Sequence, residues 1–171
     1  PLYAYNFLDN AIPGQAGHYW RDVGTIQARW EANMDLVRIK PELNIYNKHW
    51  RIRSANDNDN LPPAKFNDTV GGPGCGLKNS LVSGECIIED SSLVSSVVGF
   101  GVRVYRSTVE ESVLFSEVKV RDGCHLRRVI VDKGVHIPAG TTIGIAHEAD
   151  RARGFTVDES GIVVVPRGSV F

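Results

Sequence analysis

Residues 96–111, "SVVGFGVRVYRSTVEE", decide the fold, because their pattern comes back on both sides. "SLVSGECIIEDSSLVS" precedes them from Ser80, "SVLFSEVKVRDGCHLR" follows from Ser112, and "RVIVDKGVHIPAGTTIG" follows from Arg128. Each block starts sixteen residues after the last. In register, Leu81, Val97, Val113 and Val129 form one column, and Val82, Val98, Leu114 and Ile130 form a second. Ile88, Val104 and Val120 form a third, which Ile137 continues after a one-residue insertion. Small or turn-prone residues such as Gly84, Gly99, Ser116, Gly123 and Gly134 separate these positions at five- to six-residue intervals. One such coil cannot bury its own inward side chains. Stacked copies can, because like residues then sit about 4.8 Å apart and close a dry column. The pattern therefore predicts a mainly β protein: a parallel β-helix of the hexapeptide type, four coils and about 20 Å tall. Prisms of this class are commonly left-handed, against the usual crossover preference, so left-handed winding is expected here too. A β-sandwich of evenly spaced strands is the alternative, but it needs no column identity between strands.

Outside the repeat the sequence changes character. Ile26, Trp30, Met34 and Val37 recur at helical spacing, with Thr25 as N-cap and Pro41 as a stop after Arg38 and Ile39. Leu2 to Phe7 reads as a short aromatic strand, followed by a polar loop at Pro13 and Gly14. Residues 54–78 read as a linker. "SANDNDN" is turn-rich, "LPPAKF" is extended by its prolines, and "GGPGCG" lacks the Lys–Ser/Thr ending of a phosphate loop. The expected division is 1–53 for a short α+β segment, 54–78 for the linker and 79–171 for the β-helix.

The totals exclude some classes. Nineteen basic and twenty acidic residues are balanced in both halves, so no basic stripe marks a nucleic-acid binder. No apolar run approaches the roughly 20 residues of a membrane span. Cys75, Cys86 and Cys124 lack metal-type spacing and read as reduced thiols of a cytoplasmic protein, Cys86 and Cys124 filling the prism. Opening on Pro1 rather than Met, the chain reads as a processed product or a piece of something longer.

"YWRDVGT", residues 19–25, sets two rings, a cation and a carboxylate side by side at the entry to the helix, which suits a pocket wall. Together with "WEANMDLV", "LPPAKF", "NSLVSGECII", "LRRVIVDKGVHIPAGTTIG" and "GFTVDESGIVVV", it gives the chain a close resemblance to the carboxyl-terminal portion of bacterial glucose-1-phosphate adenylyltransferases. The matching pieces occur in the family's order from Tyr19 to Val165.

The resemblance implies an enzyme that joins ATP and glucose 1-phosphate into ADP-glucose and pyrophosphate for glycogen synthesis. In the family a β-helix serves homotetramer assembly and effector binding. The family's Gly-rich nucleotide loop has no counterpart here, so this chain alone is expected to be inactive. By resemblance, Asp22 is a catalytic residue holding Mg²⁺ with a second aspartate that this chain lacks, and Trp20 lines the glucose 1-phosphate pocket. A Mg²⁺ takes one or two carboxylates plus phosphate oxygens, and a ring face suits the apolar side of a pyranose. In the isolated chain Asp22 reads instead as a cap of the following helix. Lys133 and Arg167 match basic positions that bind phosphorylated effectors, and paired cations suit such a ligand. Arg127 and Arg128 form a weaker candidate pair, because neighbours along a strand point apart. His125 and His136 fit surface roles better than that of an acyltransferase base. A stand-alone hexapeptide-repeat assembly module, or an acyltransferase, is the other functional reading.

Overall fold

The computed structural model describes residues 2–15, 17–53 and 61–171. The repeat forms a parallel β-helix with three faces, its strands numbered here in chain order. The first face holds β1 (Lys65–Asn67), β4 (Ile87–Glu89), β7 (Arg103–Tyr105), β10 (Lys119–Val120) and β13 (His136–Ile137). The second holds β2 (Gly76–Lys78), β5 (Ser92–Val94), β8 (Thr108–Glu110), β11 (His125–Arg127) and β14 (Thr142–Ile143). The third holds β3 (Leu81–Val82), β6 (Val97–Val98), β9 (Val113–Leu114) and β12 (Val129–Val131), then the hairpin of β15 (Thr156–Val157) and β16 (Val163–Val165). The first two faces thus carry five rungs each, one more than the four expected.

Each face sends one column inward. Ile88, Val104, Val120 and Ile137 fill the prism from the first face, and Leu93, Val109, Leu126 and Ile143 fill it from the second; all eight are fully buried. Val98, Leu114 and Val131 do the same from the third. Two of the expected columns need correction in the last block. Val113 pairs with Ile130 and Leu114 with Val131, not with Val129 and Ile130. The spacing grows from sixteen to seventeen residues between Val104 and Val120 on one side and Val109 and Leu126 on the other, so the extra residue sits in the corner at 121–124. Gly123, at φ +69°, turns that corner.

The corners are where the chain pays its conformational cost. Asn79, Ser95, Glu111 and Arg128 occupy one corner with φ between +46° and +53°, and Glu85 and Glu117 occupy another at +65° and +62°. Two buried serine ladders offset this. The Ser96 and Ser112 amides donate to Ser80 Oγ and Ser96 Oγ at 3.1 and 3.2 Å, and Ser112 Oγ accepts from the Val129 amide at 3.1 Å. On a second corner the Ser107 amide donates to Ser91 Oγ, and Ser107 Oγ accepts from the Cys124 amide. Each hydroxyl also donates to the carbonyl two residues before it, as Ser96 does to Val94 and Ser112 to Glu110. A buried polar group is tolerable only when so satisfied.

The prism begins earlier than the expected boundary at 79. β1 pairs with β4 and β2 with β5, so residues 65–78 belong to the first coil rather than to a linker. The "GGPGCG" stretch is pinned by Asp90, whose carboxylate accepts from the Thr69 amide at 3.1 Å, the Gly74 amide at 3.3 Å and the Thr69 hydroxyl. Asp68 adds the Cys75 amide at 2.6 Å. A Cβ on Gly72 would come within 2.8 Å of both Thr69 Oγ1 and the Asp90 carboxylate, so a side chain there would displace the groups that pin the turn. The expected turns at 54–60 lie outside the described residues.

At the other end, α2 (His147–Ala152) interrupts the coil and the antiparallel β15–β16 hairpin closes it. Asp150 is fully buried and accepts from the Gly144 amide at 2.9 Å and from Arg153 at 2.7 Å. Cys86 and Cys124 line the core as expected, and burial pushes both thiols above their ordinary pKa. No strand forms at 2–7; Phe7–Asp9 is a single 3₁₀ turn, and Leu2, Tyr3 and Tyr5 stand exposed with no neighbouring strand to pair with.

Candidate functional site

The helix expected after Thr25 is α1 (Ile26–Leu36). Thr25 Oγ1 accepts from the Ala28 amide at 3.1 Å, satisfying one of the donors that a helix start leaves open. Ile26, Trp30 and Met34 face the β-helix and pack on the outward residues Val97, Val113, Ile130 and Val164 of the third face. That face is therefore buried on both sides, which explains why two adjacent aliphatic columns run along it while the other faces alternate with polar residues. Val37, expected on the same stripe, caps the helix C-terminus instead. Pro41 restricts the residue before it, and the helix ends at Leu36, short of the expected Ile39.

The loop before α1 is tied to it. Asp35 is 2% exposed and pairs with Arg21 and, at 3.0 Å, with Arg38. A carboxylate this deep is stable only with such partners. Arg21 stands between Trp20 and Asp22, so the helix fixes the loop by its middle. Asp22 Oδ1 accepts from the Gly24 amide at 2.9 Å in an Asx turn; the helix cap itself is Thr25, not Asp22. Asp22 is exposed, and Trp20 is 73% exposed. The neighbouring Tyr19, rather than Trp20, lines a groove of about 380 Å³ with Ile12, Leu43, Asn47 and Trp50.

Mg²⁺ binding asks for a carboxylate set that meets substrate oxygens. Among the described residues no three His, Cys, Asp or Glu side chains cluster as a metal site. The Asp22 carboxylate, with one oxygen held by Gly24, fits as one contributed ligand and not as a site by itself.

The second set of candidates lies at one corner of the prism. Val131 in β12 pairs with Val165 in β16, and Lys133 and Arg167 each follow two residues later, each just before a left-handed glycine, Gly134 or Gly168. The two exposed cations therefore occupy equivalent positions on adjacent rungs. The Lys133 amide donates to Asp132 Oδ1 at 2.8 Å. No hydrogen bond or ion pair among the described residues joins this corner to Trp20 or Asp22. Arg127 and Arg128 diverge as expected: Arg127 is exposed, whereas Arg128 is drawn against Trp30, a contact that the sequence pattern did not show. His125 Nε2 lies 3.4 Å from Glu110, and His136 is exposed. No helix is long and apolar enough to cross a membrane, among the described residues.

The family model described as GlmU-like, C-terminal hexapeptide matches residues 62–165, the stretch that forms the coils and the closing hairpin. A glucose-1-phosphate adenylyltransferase of Deinococcus radiodurans is 51% identical over 98% of this chain and 41% of its own length. One from Deinococcus deserti is 48% identical over 98% of the chain and 41% of itself, and one from Geobacter metallireducens is 46% identical over 96% and 40%. The chain spans about two-fifths of the length of these curated relatives. It therefore belongs to the GlmU-like, C-terminal hexapeptide family, and it is similar over nearly its whole length to the carboxyl-terminal portion of glucose-1-phosphate adenylyltransferases.

Proposed function

We propose that the chain is the carboxyl-terminal part of a cytoplasmic, homo-oligomeric adenylyltransferase that makes ADP-glucose and pyrophosphate from ATP and glucose 1-phosphate. The observation that carries this reading is similarity at 42–51% identity that covers 98% of the chain, and so both the loop–helix segment and the β-helix. In this reading Trp20 offers a ring face to the glucose moiety, and Asp22 contributes one carboxylate oxygen to Mg²⁺. The ion, when bound, offsets charge on the phosphates during in-line transfer. Arg21, clamped by Asp35, holds these two neighbours at a fixed height above α1. The cations Lys133 and Arg167, on adjacent rungs, receive the phosphate groups of an effector.

Three assays test it. The full-length enzyme is expected to synthesise ADP-glucose, and this chain alone is not. Asp22→Asn in the full-length protein should lower kcat by about 100-fold or more with an unchanged melting temperature, since the residue is exposed and an Asn Oδ1 can still accept from the Gly24 amide. Against a panel of phosphorylated metabolites, Lys133→Ala and Arg167→Ala should blunt activation while leaving the basal rate intact. Wild-type turnover in Asp22→Asn would end the metal assignment, and unchanged activation in both cation variants would end the effector assignment.

A further inference from the structure

We infer that Arg128 is a positioning residue, which locks α1, and with it the loop carrying Trp20 and Asp22, onto the corner where the fourth coil meets the closing hairpin. The inference rests on the catalytic reading of that loop given above.

Arg128 touches three separate segments. Its guanidinium carbon lies 4.6 Å from the centre of the Trp30 ring on α1. Nη1 is 3.5 Å from Glu111 Oε2 in the coil below, and Nη2 donates to the Ser160 carbonyl at 3.3 Å in the turn before β16. The indole is gripped from a second direction, because Trp30 Nε1 donates to the Glu111 carbonyl at 2.7 Å. Glu111 and Arg128 stand on neighbouring rungs of the same left-handed corner, at φ +46° and +53°. A non-glycine residue there carries a backbone cost that its side-chain contacts must offset. The planar guanidinium alone can stack on a ring while its fork reaches a carboxylate and a carbonyl; an ammonium cannot make all three contacts at once.

The far end of α1 completes the connection. Asp35 clamps Arg21, and only Val23, Gly24 and Thr25 separate Asp22 from the first helical residue. A shift of α1 on the prism therefore carries Asp22 with it. Displacements near 1 Å at a reacting centre are enough to cost up to about 100-fold in rate.

The test uses the full-length enzyme with Arg128→Ala, Arg128→Lys and Trp30→Phe, assayed well below each variant's melting temperature. Arg128→Ala is expected to lower kcat and raise the Mg²⁺ concentration for half-maximal rate, each by about tenfold. Arg128→Lys, which keeps the cation over the ring, should fall between the two. If Arg128→Ala does not fold, Arg128→Lys and Trp30→Phe carry the comparison. In this chain alone, the Trp30 indole N–H resonance should move in Arg128→Lys. Variants that melt earlier yet keep wild-type kcat and Mg²⁺ dependence would show a merely structural contact and overturn the inference. An unmoved indole resonance would overturn the clamp itself. A wild-type full-length enzyme that makes no ADP-glucose would instead remove the catalytic reading, and the inference with it.

Discussion

The Asp90 carboxylate accepts from three donors of the turn at 69–74, and the turn is organised around its ionised form. The Thr69 hydroxyl is the main reason that its pKa lies below the ordinary carboxylate range, with the Thr69 and Gly74 amides adding to it against the opposing effect of burial. A group whose folded pKa is depressed binds fewer protons folded than unfolded in acid. Its contribution to stability is complete above the unfolded pKa and disappears as pH falls through the folded one. Thermal melts should therefore show the wild type losing stability below about pH 4 more steeply than Asp90→Asn, which starts lower at neutral pH. Parallel curves would mean that the carboxylate does not hold the turn in its charged form. None of this was legible in "GGPGCG", whose composition suggests a flexible linker. The residue that orders it lies more than fifteen positions downstream, and only the coil geometry brings the two together.

Among the elements, the left-handed corners set what the chain tolerates. Gly144 and Gly134 both have positive φ, +79° and +69°, yet their surroundings differ. A Cβ on Gly144 would lie 1.8 Å from the Arg127 carbonyl oxygen, whereas one on Gly134 meets nothing within 4 Å. Gly134→Ala should then cost about 1 kcal/mol, the backbone penalty alone. Gly144→Ala should cost more than about 3 kcal/mol, because the rung itself must move. Denaturant midpoints of the two variants check the contrast, and equal losses would contradict the corner geometry. The corners at Gly123 and Gly134 were visible in the sequence as small residues, those held by Glu111, Glu117 and Arg128 were not, and the Thr25 cap and the Ile26–Trp30–Met34 stripe were plain. The register of the last block was not. "RVIV" offers aliphatic side chains at 129, 130 and 131, so column identity cannot choose among them, and Val129 turned out to continue the serine corner rather than the outward column. The role of Arg128 was hidden for a related reason: its partner Trp30 is nearly a hundred residues away in the chain, and a strand pattern says only that Arg127 and Arg128 point apart.

Across the whole molecule, stability is shared between adjoining coils, since each inward side chain rests on those above and below. Leu126, fully buried in the second face between Val109 and Ile143, touches both neighbours, so Leu126→Ala should destabilise by about 3 kcal/mol. Appearance of a separate early transition in the variant, with the rest melting unchanged, would argue against a single cooperative stack. The site candidates follow the same logic of scale. Lys133 and Arg167 are neighbours only because β16 returns to pair with β12, and Asp22 is held only because α1 lies along the third face. The extra residue at 121–124 has a consequence for engineering. Lengthening the chain at a vertex leaves every later rung in phase, since the added unit is absorbed where no side chain alternates. The same addition in the middle of a flat side would reverse inside and outside for the remainder of that strand. Insertions at the 121–124 vertex should accordingly be tolerated better than insertions along the straight edges of the prism, which must keep their length.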